Sequence, residues 1–302
     1  MAPMASFVDL HLHTTASDGM DSPAEVARKA HCLGLLAIAV TDHDTVQGVE
    51  KATEAGSRVG VEVVPGVEIS CLWRNHQVHL LGYFLDMTDA DLTRLLEWMR
   101  DGREERLTKM LVQLHRLGID VNREEVEMEA AGETIGRPHL ARVMVRHGYV
   151  ASVQEAFDKY LASGRPAYAE RRRPAVEEGI HTILKAKGVP VVAHPLVIDA
   201  PLGELLSELA SLQLQGVEYY HLYECETGQP DEWYTSIDTR LKELKHLSER
   251  YRLVITGGSD YHETAPDKPE LGGAHVPASV LRNLRARHRQ LCGQHSDDTH
   301  SQ

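Results

Sequence analysis

The chain has 302 residues, 42% hydrophobic and 25% charged, which supplies a sizeable core and excludes a disordered polymer. A formal net charge of -13 excludes general attraction of a polyanion to the surface, so an anionic ligand needs a local group of cations. Four cysteines (Cys32, Cys71, Cys225 and Cys292) show no C-x-x-C spacing and no apolar run nears the roughly 18 residues of a membrane span, so a reduced, cytoplasmic protein without a membrane segment is expected.

A first strand is expected over residues 7–13, where Val8, Leu10 and Leu12 alternate with Asp9, His11 and His13. That alternation turns both imidazoles to one side, as a short strand must to offer one metal ion two ligands. Asp18 follows, and then a helix with Ser22 as N-cap, Pro23 at its first position, Glu25 completing a capping box and Gly34 at its end. The second strand, residues 35–41, runs into Asp42, His43 and Asp44. The third, residues 61–69, carries Glu68, and the fourth, residues 77–84, carries His79. Only "CLWRNH" joins these last two, too short for a helical crossover, so they should be antiparallel.

Residues 88–171 hold helical patterns and no convincing strand. The series resumes with strands over 189–193, 216–221 and 253–257, which lead to His194, Glu218, and Asp260 with His262. Glu218 is placed to orient a ligand histidine. "LGELLSELASLQLQG" and "DTRLKELKHLSERY" have the helical apolar period. Strand–helix alternation implies an α/β barrel interrupted by a helical insertion, and "GQHSDDTHSQ" reads as part of a disordered tail.

The chain has 18 histidines, and several fall beside carboxylates at strand ends. Taken singly, each has an ordinary reading as a hydrogen-bonded structural histidine or a loop cap. Taken together, His11, His13, Asp18, His43, Glu68, His79, His194, Asp260 and His262 would converge on the carboxyl ends of the strands, the active face of such folds. Burying them together is costly without cations. The set exceeds what one tetrahedral zinc needs and suits two or three divalent ions sharing a carboxylate. Mixed imidazole and carboxylate donors fit Mn²⁺, Fe²⁺ or Zn²⁺ better than Ca²⁺ or Mg²⁺.

The insertion has cations of its own. Leu92, Leu95, Leu96, Met99, Leu107, Met110, Leu114 and Leu117 follow one helical stripe, and Arg103 and Arg106 fall inside it. Inward arginines need an anion or must snorkel out along their stems. "IGRPH" adds Arg137 and His139, and "ERRRP", residues 170–174, reads as a solvated linker.

The ordered motifs His11-x-His13, Asp18, Thr41-Asp42-His43-Asp44, Gly66-Val67-Glu68, His79, Ala193-His194-Pro195 and Gly258-Ser259-Asp260-x-His262 resemble the polymerase and histidinol phosphatase (PHP) family over about residues 6–280. They are most similar to its trinuclear branch, bacterial phosphatases of nucleoside 3′,5′-bisphosphates and 5′-to-3′ exoribonucleases of short RNA. The resemblance implies a distorted (β/α)7 barrel; with the pattern along the chain this gives a barrel from residues 1–87 and 172–285 and an all-helical subdomain over 88–171 capping the substrate, and the polar composition beyond gives a disordered tail over 286–302. It implies one ion on His11, His13, Glu68 and Asp260, a second on Glu68, His79 and His194, and a third on Asp18, His43 and His262. A metal-bridging hydroxide would be the nucleophile. Asp260, His194 and His139 would serve in catalysis, with His139 or His221 protonating the leaving oxygen, and Arg103, Arg106, Arg137 and His139 would hold a second phosphate. The expected function is hydrolysis of the 3′-phosphate of a nucleoside 3′,5′-bisphosphate, or removal of 5′ nucleotides from short RNA. The alternatives are a histidinol-phosphate or other small phosphomonoester phosphatase, an amidohydrolase-type barrel, and a non-catalytic metal-stabilised module. No protein partner is indicated.

Overall fold

The computed structural model describes residues 7–130, 134–223, 231–262 and 269–298, with 231–235 and 294–298 described by backbone alone; Cys225 lies outside them. Eight strands form one sheet: β1 (Phe7–Leu12), β2 (Ala37–Val40), β3 (Glu62–Trp73), β4 (His76–Tyr83), β5 (Val189–Val192), β6 (Gly216–Tyr220), β7 (Val254–Gly257) and β8 (Val276–Pro277). Their order is β7-β6-β5-β4-β3-β2-β1-β8. The runs β1-β2-β3 and β5-β6-β7 are parallel. As expected, β4 is antiparallel to β3, and it is antiparallel to β5 as well.

The sheet curls into a nearly closed barrel. Beyond β7 the chain returns to β1: the Asp260 amide donates to the His11 carbonyl, and the His13 amide to the Tyr261 carbonyl, both at 2.9 Å. Gly258 sits at this seam, where an added Cβ would lie 2.2 Å from the His11 nitrogen. The buried Asp9 carboxylate clasps the seam by accepting from the Ser259 amide (2.9 Å), the Ser259 hydroxyl (2.6 Å) and the Gly272 amide (2.7 Å). β8, an eighth strand beyond the seven expected, pairs antiparallel with the start of β1. Its two residues are too few for an alternation to register in sequence.

The simple alternation expected for β1 is broken by a register shift between Asp9 and Leu12. Val8 and Leu10 pack with Ala39, Val64, Leu81 and Val191, whereas Leu12 packs with Val26, Ile38 and Val49. The shift, a bulge-type irregularity, re-aims the strand end.

Two helices cover the first strands, α1 (Pro23–Cys32) and α2 (Gln47–Val59). The expected capping box of α1 is present, with Ser22 Oγ accepting from the Glu25 amide and the Ser22 amide donating to Glu25 Oε2. After β4 come α3 (Ala90–Arg116), α4 (Arg123–Glu129), α5 (Arg137–Arg146) and α6 (Val153–Ala156), the last running into a π-helical turn at Phe157–Leu161. Four more helices complete the barrel: α7 (Val176–Lys185), α8 (Leu202–Ser211), α9 (Asp231–Arg250) and α10 (Ala278–Asp298).

The first half of α3 packs Leu92, Leu95, Leu96 and Met99 against β3, β4 and α7. Its second half packs Leu107, Met110 and Leu114 with Val126, Leu140, Met144 and Leu161. Gly102 does not interrupt it. The tail expected over 286–302 is instead helical as far as Asp298. The tail continues a helix already anchored on the barrel by Val280, Leu281 and Leu284, and Leu291 packs on the same cluster as Val8, Ala37 and Val189, a contact that polar composition near the terminus does not reveal. Among the described residues no helix is long and apolar enough to cross a membrane.

Replacing Gly258 with alanine drives a methyl into main chain that cannot yield. A loss of about 3 kcal/mol is expected, at the upper end of overpacking costs. Urea unfolding should show a lower midpoint at unchanged slope.

Candidate metal centre

The nine donors expected from sequence all meet at one mouth of the barrel. Glu68, on β3, is the hub. Its Oε1 lies 3.5 Å from His11 Nε2, 2.9 Å from His79 Nδ1 and 3.2 Å from His194 Nε2. Its Oε2 lies 3.3 Å from His13 Nε2 and 2.8 Å from His43 Nδ1. Asp260 Oδ1 approaches His13 Nε2 at 3.0 Å and His11 Nε2 at 3.3 Å. Asp18 Oδ1 lies 3.3 Å from His262 Nε2 and 4.0 Å from His13 Nδ1. Three overlapping groups are compact enough to hold an ion: His13, Asp18, His43 and His262; His11, His13 and Glu68; and His43, Glu68 and His79. Here His13 and His43 stand between the sets implied by resemblance rather than within one each.

His79 Nδ1 and His194 Nε2 hydrogen-bond Glu68 Oε1, but other atoms of the cluster converge without satisfying one another. Asp18 Oδ1, Glu68 Oε2, Asp260 Oδ1, His43 Nδ1 and His194 Nδ1 are buried and have no hydrogen-bond partner among the described residues. Lone pairs facing lone pairs fit a cation better than a hydrogen-bond network.

The charge balance agrees. Burial alone would push the Asp18, Glu68 and Asp260 carboxyls up, but the surrounding histidines hold all three well below the usual carboxylate range. In return, against the effect of burial, the carboxylates lift His11 well above its ordinary value, His13 to about 10 and His194 to about 9. The cluster thus demands positive charge, which divalent ions supply without protonating the ligands.

Supporting contacts fix the donors. Glu218 on β6 is fully buried and sets His11 with both carboxylate oxygens on Nδ1, at 3.0 and 3.2 Å, which leaves Nε2 facing the cluster. Its Oε2 also accepts from the His194 amide at 2.8 Å. This is the orienting place expected for Glu218. Asp42 is not a donor: it ties down the loop after β1 through the Thr14 amide (2.7 Å) and the Ser17 hydroxyl (2.6 Å). Asp44, His194 and Asp260 take φ of 57°, 27° and 55°. Left-handed backbone costs a non-glycine residue roughly 1–2 kcal/mol, and such strain gathers at functional sites.

An arginine pocket adjoins the donors. The loop before α5 is joined to the loop carrying Asp18 by the Thr134 amide, which donates to the Ala16 carbonyl at 3.2 Å. As the stripe implied, Arg103 and Arg106 are both buried, each 6% exposed. Arg103 is engaged, with Nε donating to Asp44 Oδ2 at 2.9 Å and Nη2 reaching the same oxygen. Arg106 has no carboxylate partner among the described residues. Burial first, then Arg103, Arg171, Arg137 and Arg173, drives its pKa well below the ordinary arginine value. Glu104 and Glu105 are spent elsewhere, on Arg123 and Arg172.

Arg137 opens α5 against the rings of Phe157 and Tyr168, with Nη1 donating to the Leu161 carbonyl at 3.2 Å. His139 is buried, and its Nδ1 accepts from the Gly136 amide at 2.9 Å. The solvated-linker reading of "ERRRP" fails at Arg171, which is buried and donates from Nη1 to Asp44 Oδ2 at 2.7 Å. Sequence reasoning missed it because its partner lies 127 positions away. The only local signal was Asp44 itself, a carboxylate beside His43 with no ligand role.

A family model described as the PHP domain matches residues 9–163. A 5′-3′ exoribonuclease of Haemophilus influenzae is 36% identical over 259 residues, 86% of this chain and 91% of that protein. A 3′,5′-nucleoside bisphosphate phosphatase of Chromobacterium violaceum is 32% identical over 285 residues, 93% of this chain and 97% of that one. A crystal structure from Bifidobacterium adolescentis, assigned as a metal-dependent phosphoesterase, superposes with a TM-score of 0.83 at 28% identity, covering 94% of this chain and 97% of its own.

Glu218→Gln keeps an oxygen for the His194 amide but removes the charge behind His11. Affinity for Mn²⁺ should fall about 10- to 100-fold, as for other partners of ligand histidines, in a calorimetric titration of metal-stripped protein.

Proposed function

The chain belongs to the PHP family and is a metal-dependent phosphoesterase, and on that premise we propose that its substrate is a nucleotide whose 5′-phosphate lies next to the phosphate being hydrolysed. The reaction is loss of the 3′-phosphate from a nucleoside 3′,5′-bisphosphate, removal of 5′ nucleotides from short RNA, or both. One observation carries this reading: Arg106 is buried beside Arg103, Arg171 and Arg137 with no carboxylate partner among the described residues. A buried guanidinium among like charges requires an anion, and arginine forks match a phosphate. A phosphomonoester with a single phosphate, such as histidinol phosphate, would leave that demand unmet.

The donor cluster would hold three divalent ions: the first on His11, His13, Glu68 and Asp260, the second on Glu68, His79 and His194, the third on Asp18, His43 and His262. Mn²⁺, Fe²⁺ and Zn²⁺ fit these donors, and Mn²⁺ is the first to try. Bound there, such ions supply Lewis acidity, screening the phosphoryl oxygens and lowering the pKa of the attacking water.

The chain's own residues do the rest. Arg103, Arg106 and Arg137 bind and orient the 5′-phosphate, with Arg171 behind them, and residues 88–171 act as the cap. Asp260 and His194 hold the reacting end. His139 is pushed down to about 4, first by burial and then by Arg142, so it is neutral at pH 7. With Nδ1 occupied as an acceptor it presents Nε2–H, a hydrogen-bond donor to substrate rather than a proton reservoir. Free Cys32, Cys71 and Cys292 support a reducing, cytoplasmic setting.

Phosphate release from a nucleoside 3′,5′-bisphosphate with Mn²⁺ tests the reading, alongside cleavage of short RNAs bearing a 5′-phosphate or a 5′-hydroxyl. Arg106→Ala should raise KM about 10- to 100-fold, the worth of about 1.5–3 kcal/mol for hydrogen bonds to a charged group. Asp260→Ala should lower kcat by about 10³-fold, at about 1.4 kcal/mol per tenfold. Equal turnover with and without the 5′-phosphate would refute the two-phosphate reading.

A further inference from the structure

Asp44 is the only carboxylate among the described residues that contacts the pocket arginines Arg103 and Arg171, and it belongs to the donor cluster's own scaffold. Its amide donates to the Glu68 carbonyl at 2.9 Å. Its Oδ1 accepts from the Ser70 amide at 2.8 Å, so β3 supplies Glu68 to the donors and, two residues on, the seat of this carboxylate. The other oxygen, Oδ2, takes Arg103 from α3, where the chain runs out into the insertion. It also takes Arg171 from the segment returning to the barrel. All three side chains are nearly free of solvent, at 0%, 7% and 4% exposure for Asp44, Arg103 and Arg171. Arg103 spends Nε and Nη2 on this contact and Arg171 spends Nη1, leaving each with guanidinium hydrogens for a ligand.

Two consequences oppose each other. As a charge, Asp44 weakens the pocket for an anion, since it cancels part of what Arg103, Arg106, Arg137 and Arg171 offer. As a tether, it holds two of those arginines at a fixed distance from the donors. Freed buried guanidinium groups would turn towards other acceptors and lose that alignment. The strained φ of 57° and the double seat on β3 argue that position has been favoured over charge. We propose, resting on the two-phosphate reading above, that Asp44 is a positioning residue: it sets the span between the donor cluster and the arginine pocket, and so the preference for a substrate carrying a 5′-phosphate.

The test uses Mn²⁺-loaded protein and Asp44→Asn, which keeps shape and one acceptor oxygen. The Kd of a nucleoside 5′-monophosphate is measured by calorimetry. The ratio of kcat/KM for the 3′,5′-bisphosphate to that for the 3′-monophosphate is measured alongside. Positioning predicts that Kd weakens and the ratio falls, each by about tenfold or more. Simple charge cancellation predicts tighter binding of the 5′-monophosphate, and that result, or an unchanged ratio, overturns the proposal. If the wild-type protein itself shows no preference for the 5′-phosphate, the two-phosphate reading fails and this inference with it. If wild type prefers it and the variant does too, only Asp44's role fails. Should Asp44→Asn not fold, Arg171→Gln cuts the same tether from the other end and is expected to lower the ratio as far; retention of the wild-type ratio there overturns the proposal equally.

Discussion

One carboxylate holds this site together. Glu68 has ring nitrogens from five histidines within 3.5 Å, drawn from β1, β4 and the loops after β1, β2 and β5. Hydrogen bonds from His79 and His194 reach one of its oxygens, while Glu68 Oε2 and His43 Nδ1 stay without a hydrogen-bond partner among the described residues, an arrangement that suits a cation. The surrounding fold meets this constraint. Asp9 locks the seam that brings Asp260 and His262 back to β1, Glu218 sets His11 from behind, and three residues at strand ends accept left-handed backbone so that the donors face inward.

The convergence of these nine side chains was legible in sequence because most of them are signalled locally. His11 and His13 interrupt an apolar alternation, His43, His194, Asp260 and His262 follow apolar runs where parallel strands present their active face, and Glu68 and His79 lie within the antiparallel pair β3–β4. The antiparallel turn between β3 and β4 was legible from its length alone. What was not legible depends on contacts across long stretches of chain. The bulge in β1 exists because of its partners, and β8 is too short to have a period. The last helix is specified by a barrel floor built from strands far away in sequence. Arg171 looked like one charge in a solvated run, and only folding reveals Asp44 opposite it.

The charges also show why net charge is a poor guide to ligand choice. A chain of formal charge -13 carries, next to its most acidic machinery, a buried set of arginines for which it supplies one contacting carboxylate among the described residues. Screening at physiological ionic strength acts over about 8 Å, so the distant negative surface counts for little there. Desolvation makes the near charges count for more.

The 27-residue helix α3 spans about 40 Å at 1.5 Å per residue. It is shared between two hydrophobic cores, with Met99 in one and Leu107 in the other and no break at Gly102. A helical insertion mounted on an unbroken beam cannot swing against the barrel without bending that beam or tearing one core open, so the two cores move as one body.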